Sequence, residues 1–198
     1  MEQRSLTTKQ FLELSGHKVY LRKLDMEHME AYWTTLKESS IESMVFTGTQ
    51  QIFNRTDIEG YFENVSKDAS RIDFLIFAQE RDELVGEVVI SDMDRINRSA
   101  GLRIAINDKD NFSRGFGTEA LILALNYGFG MYNLHRIELE VLAFNDRAIH
   151  TYEKVGFKRE GIRRDASYYN HQYQDLITMS ILEDEFWERH VKEPVLSI

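Results

Sequence analysis

Residues 102–157 read LRIAINDKDNFSRGFGTEALILALNYGFGMYNLHRIELEVLAFNDRAIHTYEKVGF, and two kinds of periodicity alternate along them. Leu102–Ile106 reads as a strand. From Arg114 to Gly130 the apolar residues fall at 116, 120, 123, 124, 127 and 131, which predicts an amphipathic helix. Arg136–Leu142 (RIELEVL) alternates apolar and charged residues, the signature of a half-buried strand. Asn145–Val155 returns to helical spacing, with Asn145 suited to the N-cap and Gly156 to the terminus.

The same reading extends outward. Downstream, Phe157 opens a long hairpin that turns near Asn170-His171 and returns through Leu176 to Leu182, and a short acidic helix follows over 183–190. Upstream, 18–24 alternates as a strand, and Asp25 can cap a helix to about Lys37 with Met29, Tyr32, Trp33 and Leu36 on one face. A turn at Thr47-Gly48-Thr49 precedes a second helix over 57–68, and 72–79 and 84–91 form two strands around Arg81-Asp82-Glu83. A β-rich half is thus followed by strand–helix–strand–helix and a hairpin. That order predicts an α+β mixed sheet with helices on its faces, not a repeating doubly wound unit. Residues 1–16 read as a polar lead-in, 17–190 as a single domain and 191–198 as a tail.

Composition removes several functions. The chain has 198 residues, 24 Lys+Arg against 33 Asp+Glu, a formal charge of −9 and no cysteine. Disulfides, a thiol nucleophile and cysteine-ligated zinc are excluded. The acidic balance argues against nucleic acid as a partner. No apolar run approaches the ~18 residues of a membrane span, and the start MEQRSLTTKQFLEL lacks the features of a secretory signal. A cytoplasmic protein that does not engage membranes is expected. The six histidines show no metal-ligand spacing, so no metal is expected, and His135 and His150 sit at element edges without an assigned role.

Two stretches carry candidate chemistry. Arg114-Gly115-Phe116-Gly117-Thr118 opens a helix after a strand, where glycines let backbone N–H groups approach an anion and Arg114 adds a bidentate donor. A turn that merely starts a helix accounts for the same residues. A Walker loop is excluded, because no Gly-Lys-Ser/Thr follows. Gly115 to Ala120 fits G-x-G-x-x-A. The intervening loop 107–113, the mid-strand position of Glu138 and Glu140, and the hairpin downstream all oppose a dinucleotide fold. The second stretch is Leu139-Glu140-Val141 with Asn145 and Tyr152; singly, Asn145 is a cap and Tyr152 shares a core face with Ala148, Ile149 and Val155.

Together, the strand, the Arg-Gly-x-Gly helix start, the second strand and N-x-R-A-I-x-x-Y-E-K-x-G-F resemble the GNAT superfamily of acyl-CoA N-acetyltransferases. The resemblance covers about residues 17–182 and is strongest from Asn97 to Asp175. HRIELEVLAFNDRAIHTYEKVGFKREG, with the trailing YxNHQYQD, resembles the branch of ribosomal-protein N-terminal (RimJ/RimL type) and spermidine acetyltransferases. It implies a mixed, mostly antiparallel twisted sheet of about seven strands, about four to five flanking helices and a splayed central strand pair.

The resemblance also implies roles. Ile104, Ala105 and Ile106 match the splayed strand that pairs with the pantetheine arm of acetyl-CoA, the expected cosubstrate. Ser113, Arg114, Gly115, Phe116, Gly117 and Thr118 match the pyrophosphate loop. The family pattern Q/R-x-x-G-x-G/A would place Gln or Arg where Phe112 stands, with Arg114 as the substitute charge. Asn145 matches a CoA-contacting asparagine, Tyr152 the usual general acid, and Glu140 the base of some ribosomal-protein acetyltransferases; polyamine acetyltransferases often have an apolar residue there. The reaction implied is direct transfer to a primary amine of a protein N-terminus, a polyamine or a small molecule. A homodimer is compatible with it. The alternative is a CoA-sensing module without turnover, which would need the glycine loop but neither Glu140 nor Tyr152.

Segments 25–68 and 167–174 would shape the acceptor pocket, offering Tyr32, Trp33, Tyr61, Tyr168, Tyr169 and Tyr173, with Glu87, Asp92 and Asp94 as carboxylates for an ammonium. Arg114, Arg147, Lys154, Lys158 and Arg159 gather in the segments assigned to the cofactor, so a local cationic site is expected despite the net charge.

Overall fold

Parallel neighbours need a crossover, whereas antiparallel ones need only a turn, and the chain uses both. A computed structural model describes residues 14–38, 53–169 and 171–191. The expected turn at 47–49, Asn170, most of the lead-in and most of the tail lie outside the described residues. Strands β1 (Val19–Lys23), β2 (Ile72–Ala78), β3 (Glu83–Asp94) and β4 (Ser99–Ile106) form an antiparallel run. β5 (Arg136–Leu142), β6 (Lys158–Tyr169) and β7 (Gln172–Leu182) complete one seven-stranded sheet in the order β1-β2-β3-β4-β5-β7-β6.

The β4–β5 pair is the one parallel contact in this order, and it is short: Ser99, Ala100 and Gly101 face Arg136, Ile137 and Glu138. Beyond Gly101 β4 pairs only with β3. The expected splayed central pair is therefore present, with Ile104–Ile106 on the open side.

Helices α1 (Met29–Glu38) and α2 (Arg55–Val65) cover one face, and α3 (Phe116–Tyr132) the other. Asp25 caps a 3₁₀ turn at Met26–His28 that leads into α1. Asn54 and Asp57 form a reciprocal capping box that starts α2 two residues before the expected position. β2 is buried throughout because it lies between both helical layers: Phe74 and Ile76 join the α3 core, Leu75 and Phe77 the α1–α2 core.

A single apolar stripe ending at Met131 was expected, yet Ala120–Leu125 is buried without interruption and Met131 is 66% exposed. α3 packs against β1, β3 and β4 on one side and against α4 (Asp146–Val155) and α5 (Glu183–His190) on others. A helix surrounded in this way is apolar on most sides, and its last turn runs past the layer that covers it.

Candidate active site

A cavity of about 360 Å³ lies between β4, the start of α3, the end of β5 and α4. Ile104, Ala105 and Ile106 line it from β4; Ser113, Gly115, Phe116, Gly117 and Thr118 from the loop and helix start; and Glu140, Asn145 and Tyr152 from β5 and α4. Of the residues matched to the pantetheine strand, the phosphate loop and the catalytic positions, Arg114 alone stays outside this lining. Its guanidinium pairs with Glu80 and lies 4.9 Å from the Phe116 ring centroid.

The other expected cations also divide. Arg147 and Lys154 line the cavity, whereas Arg159 pairs with Glu153 at 2.8 Å and Lys158 with Glu185. Phe112, His150 and Thr151 line it too. Positions 147, 150, 151 and 154 share one face of α4, a helical spacing that could have flagged His150 and Thr151. Phe112 was visible only as a departure from a pattern. The Arg147 guanidinium sits 3.5 Å from the centroid of its ring.

The loop owes its shape to backbone that turns left twice, at Ser113 (φ 58°) and Gly115 (φ 86°). Alternation of this kind curls successive N–H groups into an anion-binding concavity. The first intrahelical bond of α3 runs from Glu119 N–H to the Gly115 carbonyl at 3.1 Å. The N–H groups of Phe116, Gly117 and Thr118 therefore precede the ladder, at the positive end of the helix dipole. A Cβ on Gly117 would lie 3.6 Å from Ile106 and 3.9 Å from Ile104, ordinary contact distances. Packing therefore does not demand that glycine. The loop is tied to β1: Lys18 Nζ donates to the Arg114 carbonyl at 2.5 Å, and the Glu119 carboxylate accepts from His17, Lys18 and Val19 N–H at 2.6–3.0 Å.

Tyr152 is 8% exposed and meets Phe157 edge-on, with ring centroids 5.7 Å apart. Burial pushes its pKa up to about 12, against an opposing effect of Arg147. Asn145 both caps α4, its side-chain oxygen accepting from Ala148 N–H at 3.2 Å, and lines the cavity. Glu140 lines the same space and pairs with Arg163 from β6.

On the α1–α2 face, two carboxylates are held in place. Glu87, opposite Ala105 in the β3–β4 register, accepts from Tyr32 at 2.9 Å and pairs with Arg103 at 2.6 Å. Asp73, 1% exposed, accepts from Tyr61 at 2.5 Å and binds Arg71 through two 2.7 Å contacts. Tyr32 and Tyr61 thus belong to a polar network beneath the helices. Asp94 closes a turn, accepting from Ile96 and Asn97 N–H at 2.8 and 2.9 Å, and Asp92 accepts from Ser91 at 2.8 Å. Tyr168 and Tyr173 pair across the hairpin, 5.1 Å apart and half or more exposed. No cluster of metal-ligating side chains occurs among the described residues.

Comparison with known proteins agrees with this geometry. Residues 18–158 match the family described as acetyltransferase (GNAT) domain, and the chain belongs to that family. It is 30% identical over 169 residues to the spermidine N(1)-acetyltransferase of Vibrio cholerae, covering 85% of this chain and 95% of the relative. The Escherichia coli K12 enzyme of that name is 28% identical over 176 residues, 89% of this chain and 92% of that one. The crystal structure of the Vibrio cholerae enzyme with CoA and spermine superposes with a TM-score of 0.78 at 26% identity, covering 86% of this chain and 99% of that one. The protein is an acetyl-CoA-dependent N-acetyltransferase that acts on amines. No helix among the described residues is long and apolar enough to cross a membrane.

Proposed function

We propose that the chain acetylates a small primary amine of the spermidine class, with Tyr152 as general acid and Glu140 as base. The observation that carries this reading is the meeting of Tyr152, Glu140 and the unpaired edge of β4 in one cavity. The residues present fit acetyl-CoA: free strand edge at Ile104–Ile106 for an amide-bearing arm, an N–H concavity at Ser113–Thr118 for a pyrophosphate, and Asn145 on the lining of the same cavity. The cosubstrate supplies a thioester acyl donor.

The acceptor nitrogen forms a C–N bond to the acyl carbon as the C–S bond breaks, and the thiolate takes a proton from Tyr152. A tyrosine with a pKa near 12 stays protonated at neutral pH and is available as a donor. The thiol, at ~8.5, is the stronger acid, so this proton transfer is uphill by itself, and the phenolate recovers a proton from the nitrogen as it becomes an amide. Glu140, whose Oε1 pairs with Arg163, removes a proton from the ammonium, directly or through water. A backbone N–H of Ile104–Ile106 meets the developing oxyanion. With no cysteine in the chain, transfer is direct within a ternary complex.

Similarity to two spermidine acetyltransferases supports a polyamine, as does the −9 charge, which attracts cations weakly at cellular salt. A carboxylate at 140 favours a second reading, a protein N-terminus, whose amine at ~7.7–8.0 asks less of a base. The catalytic domain is assigned to residues 17–190. A Vibrio cholerae relative has been solved as a dodecamer, and the exposed edge strand β6, with Ile162 64% exposed, supports self-association here.

Thiol release from acetyl-CoA, measured against spermidine, N-terminal peptides and aminoglycosides, tests the reading. Spermidine is expected to give the highest kcat/KM. Preference for a peptide would move the assignment to the second reading, and no release with any amine would overturn catalysis.

A further inference from the structure

The phosphate loop opens with Phe112, a side chain that can donate nothing to a phosphate, and Arg114 is turned away onto Glu80. The loop's own side chains thus leave its anion site without a guanidinium. One reaches it from another element: Arg147, on the first turn of α4, lies 3.5 Å from the Phe112 ring centroid and lines the same cavity. A guanidinium stacked on an aromatic face keeps its N–H donors in its own plane, directed past the ring edge. Stacking therefore fixes the cation without consuming its capacity to bind a phosphate bidentately. Part of its water is also lost, which pulls its pKa below the ordinary value, with Tyr152 acting in the opposite direction. An anion beside it would offset that loss.

We infer that Phe112 and Arg147 act as one unit, a ring platform and the guanidinium it holds, which binds a phosphate of the nucleotide arm of acetyl-CoA. The unit replaces the polar first residue that the loop lacks. It requires both partners, because Phe112 carries no donor and the ring sets where the Arg147 guanidinium stands. The inference rests on the acetyl-CoA assignment. It adds a ligand-binding pair that joins two segments 35 positions apart in the chain.

Calorimetric titration separates the phosphates. CoA, 3′-dephospho-CoA, 4′-phosphopantetheine and pantetheine are compared on the parent, Arg147→Ala, Phe112→Leu and Arg159→Ala, each first checked for a cooperative thermal transition. Arg147→Ala is expected to weaken CoA about 10–100-fold, the loss of one charge-assisted contact, with pantetheine unchanged. Phe112→Leu should weaken CoA several-fold in the same ligand order, and Arg159→Ala, paired with Glu153 away from the cavity, should bind as the parent does. If the loss persists with 3′-dephospho-CoA, the contact is to the pyrophosphate; if it disappears there, to the 3′-phosphate. CoA binding by Arg147→Ala within twofold of the parent, or equal losses for CoA and pantetheine, would overturn the inference. A parent that binds no CoA would instead remove the cosubstrate assignment itself.

Discussion

The layer beneath α1 and α2 and the junction between β4 and β5 are built on opposite plans. In the layer, β2 is paired on both edges and buried throughout, and carboxylates at 73 and 87 are each held by a tyrosine and an arginine. At the junction the ladder stops at Gly101, and the strand edge beyond it faces a cavity lined by a helix start, Glu140 and Tyr152. One region spends its polar groups on itself, while the other turns a strand edge and a helix start toward a cavity. The difference locates stability and chemistry separately, so substitutions in the two regions should change different measurements.

Tyr152→Phe should break the open side most. Loss of the proposed general acid should lower kcat by ~10²–10⁴-fold while CoA affinity is retained. With a pKa near 12, Tyr152 contributes no fall in kcat as pH rises through the neutral range. A steady-state pH profile checks both points, and unchanged turnover in the variant would remove Tyr152 from the mechanism.

Asp73→Ala addresses the closed side. Removing a carboxylate that is 1% exposed strands the Arg71 guanidinium and the Tyr61 hydroxyl and should cost about 3 kcal/mol of stability. Urea unfolding measures it, and CoA titration should give the parent's affinity. A variant that loses CoA affinity and keeps its stability would mean that the two regions are not separable.

How much of this was legible in the sequence follows the same division. The strand–helix–strand–helix run was readable because one face of each element is buried by many residues, which writes a period into the chain. Asp73 gave no such signal: it interrupts an apolar run, and its partner Tyr61 stands twelve positions earlier on a helix. The loop glycines marked a close backbone approach, a local property, whereas Asn145 and Tyr152 read singly as a cap and a core residue and were assigned to the site only by the resemblance to the GNAT superfamily. The direction of the Arg114 side chain and the stacking of Arg147 on Phe112 were not readable, because both depend on contacts across tens of residues.

Gly117→Glu tests the open side with an intact fold. The space beside Gly117 accepts a Cβ at ordinary contact distance, so the backbone should be preserved. A carboxylate at the helix start would repel a pyrophosphate and fill its site. CoA affinity should fall by about two orders of magnitude, roughly 2.7 kcal/mol. Normal affinity by calorimetry would refute the assignment of this loop to the phosphates.

The smallest effect belongs to a polar group outside both regions. Glu160 on β6 is bound by Arg136 and Ser180, and these hydrogen bonds, Arg136 first, hold its pKa down at about 2. A carboxylate depressed in the folded state contributes stability above its unfolded value of ~4.3, and the contribution is lost as pH falls through the folded value. Because the side chain is 40% exposed, solvent screens the pair, and Glu160→Gln should cost less than about 1 kcal/mol at neutral pH. In urea titrations the gap between parent and variant should be full at neutral pH, begin to close as pH falls below the unfolded value, and approach zero near pH 2. A gap that is independent of pH would mean that the charge of Glu160 contributes nothing. A gap as large as that of Asp73→Ala would mean that the exposed half of the sheet carries stability comparable to the layer beneath α1 and α2.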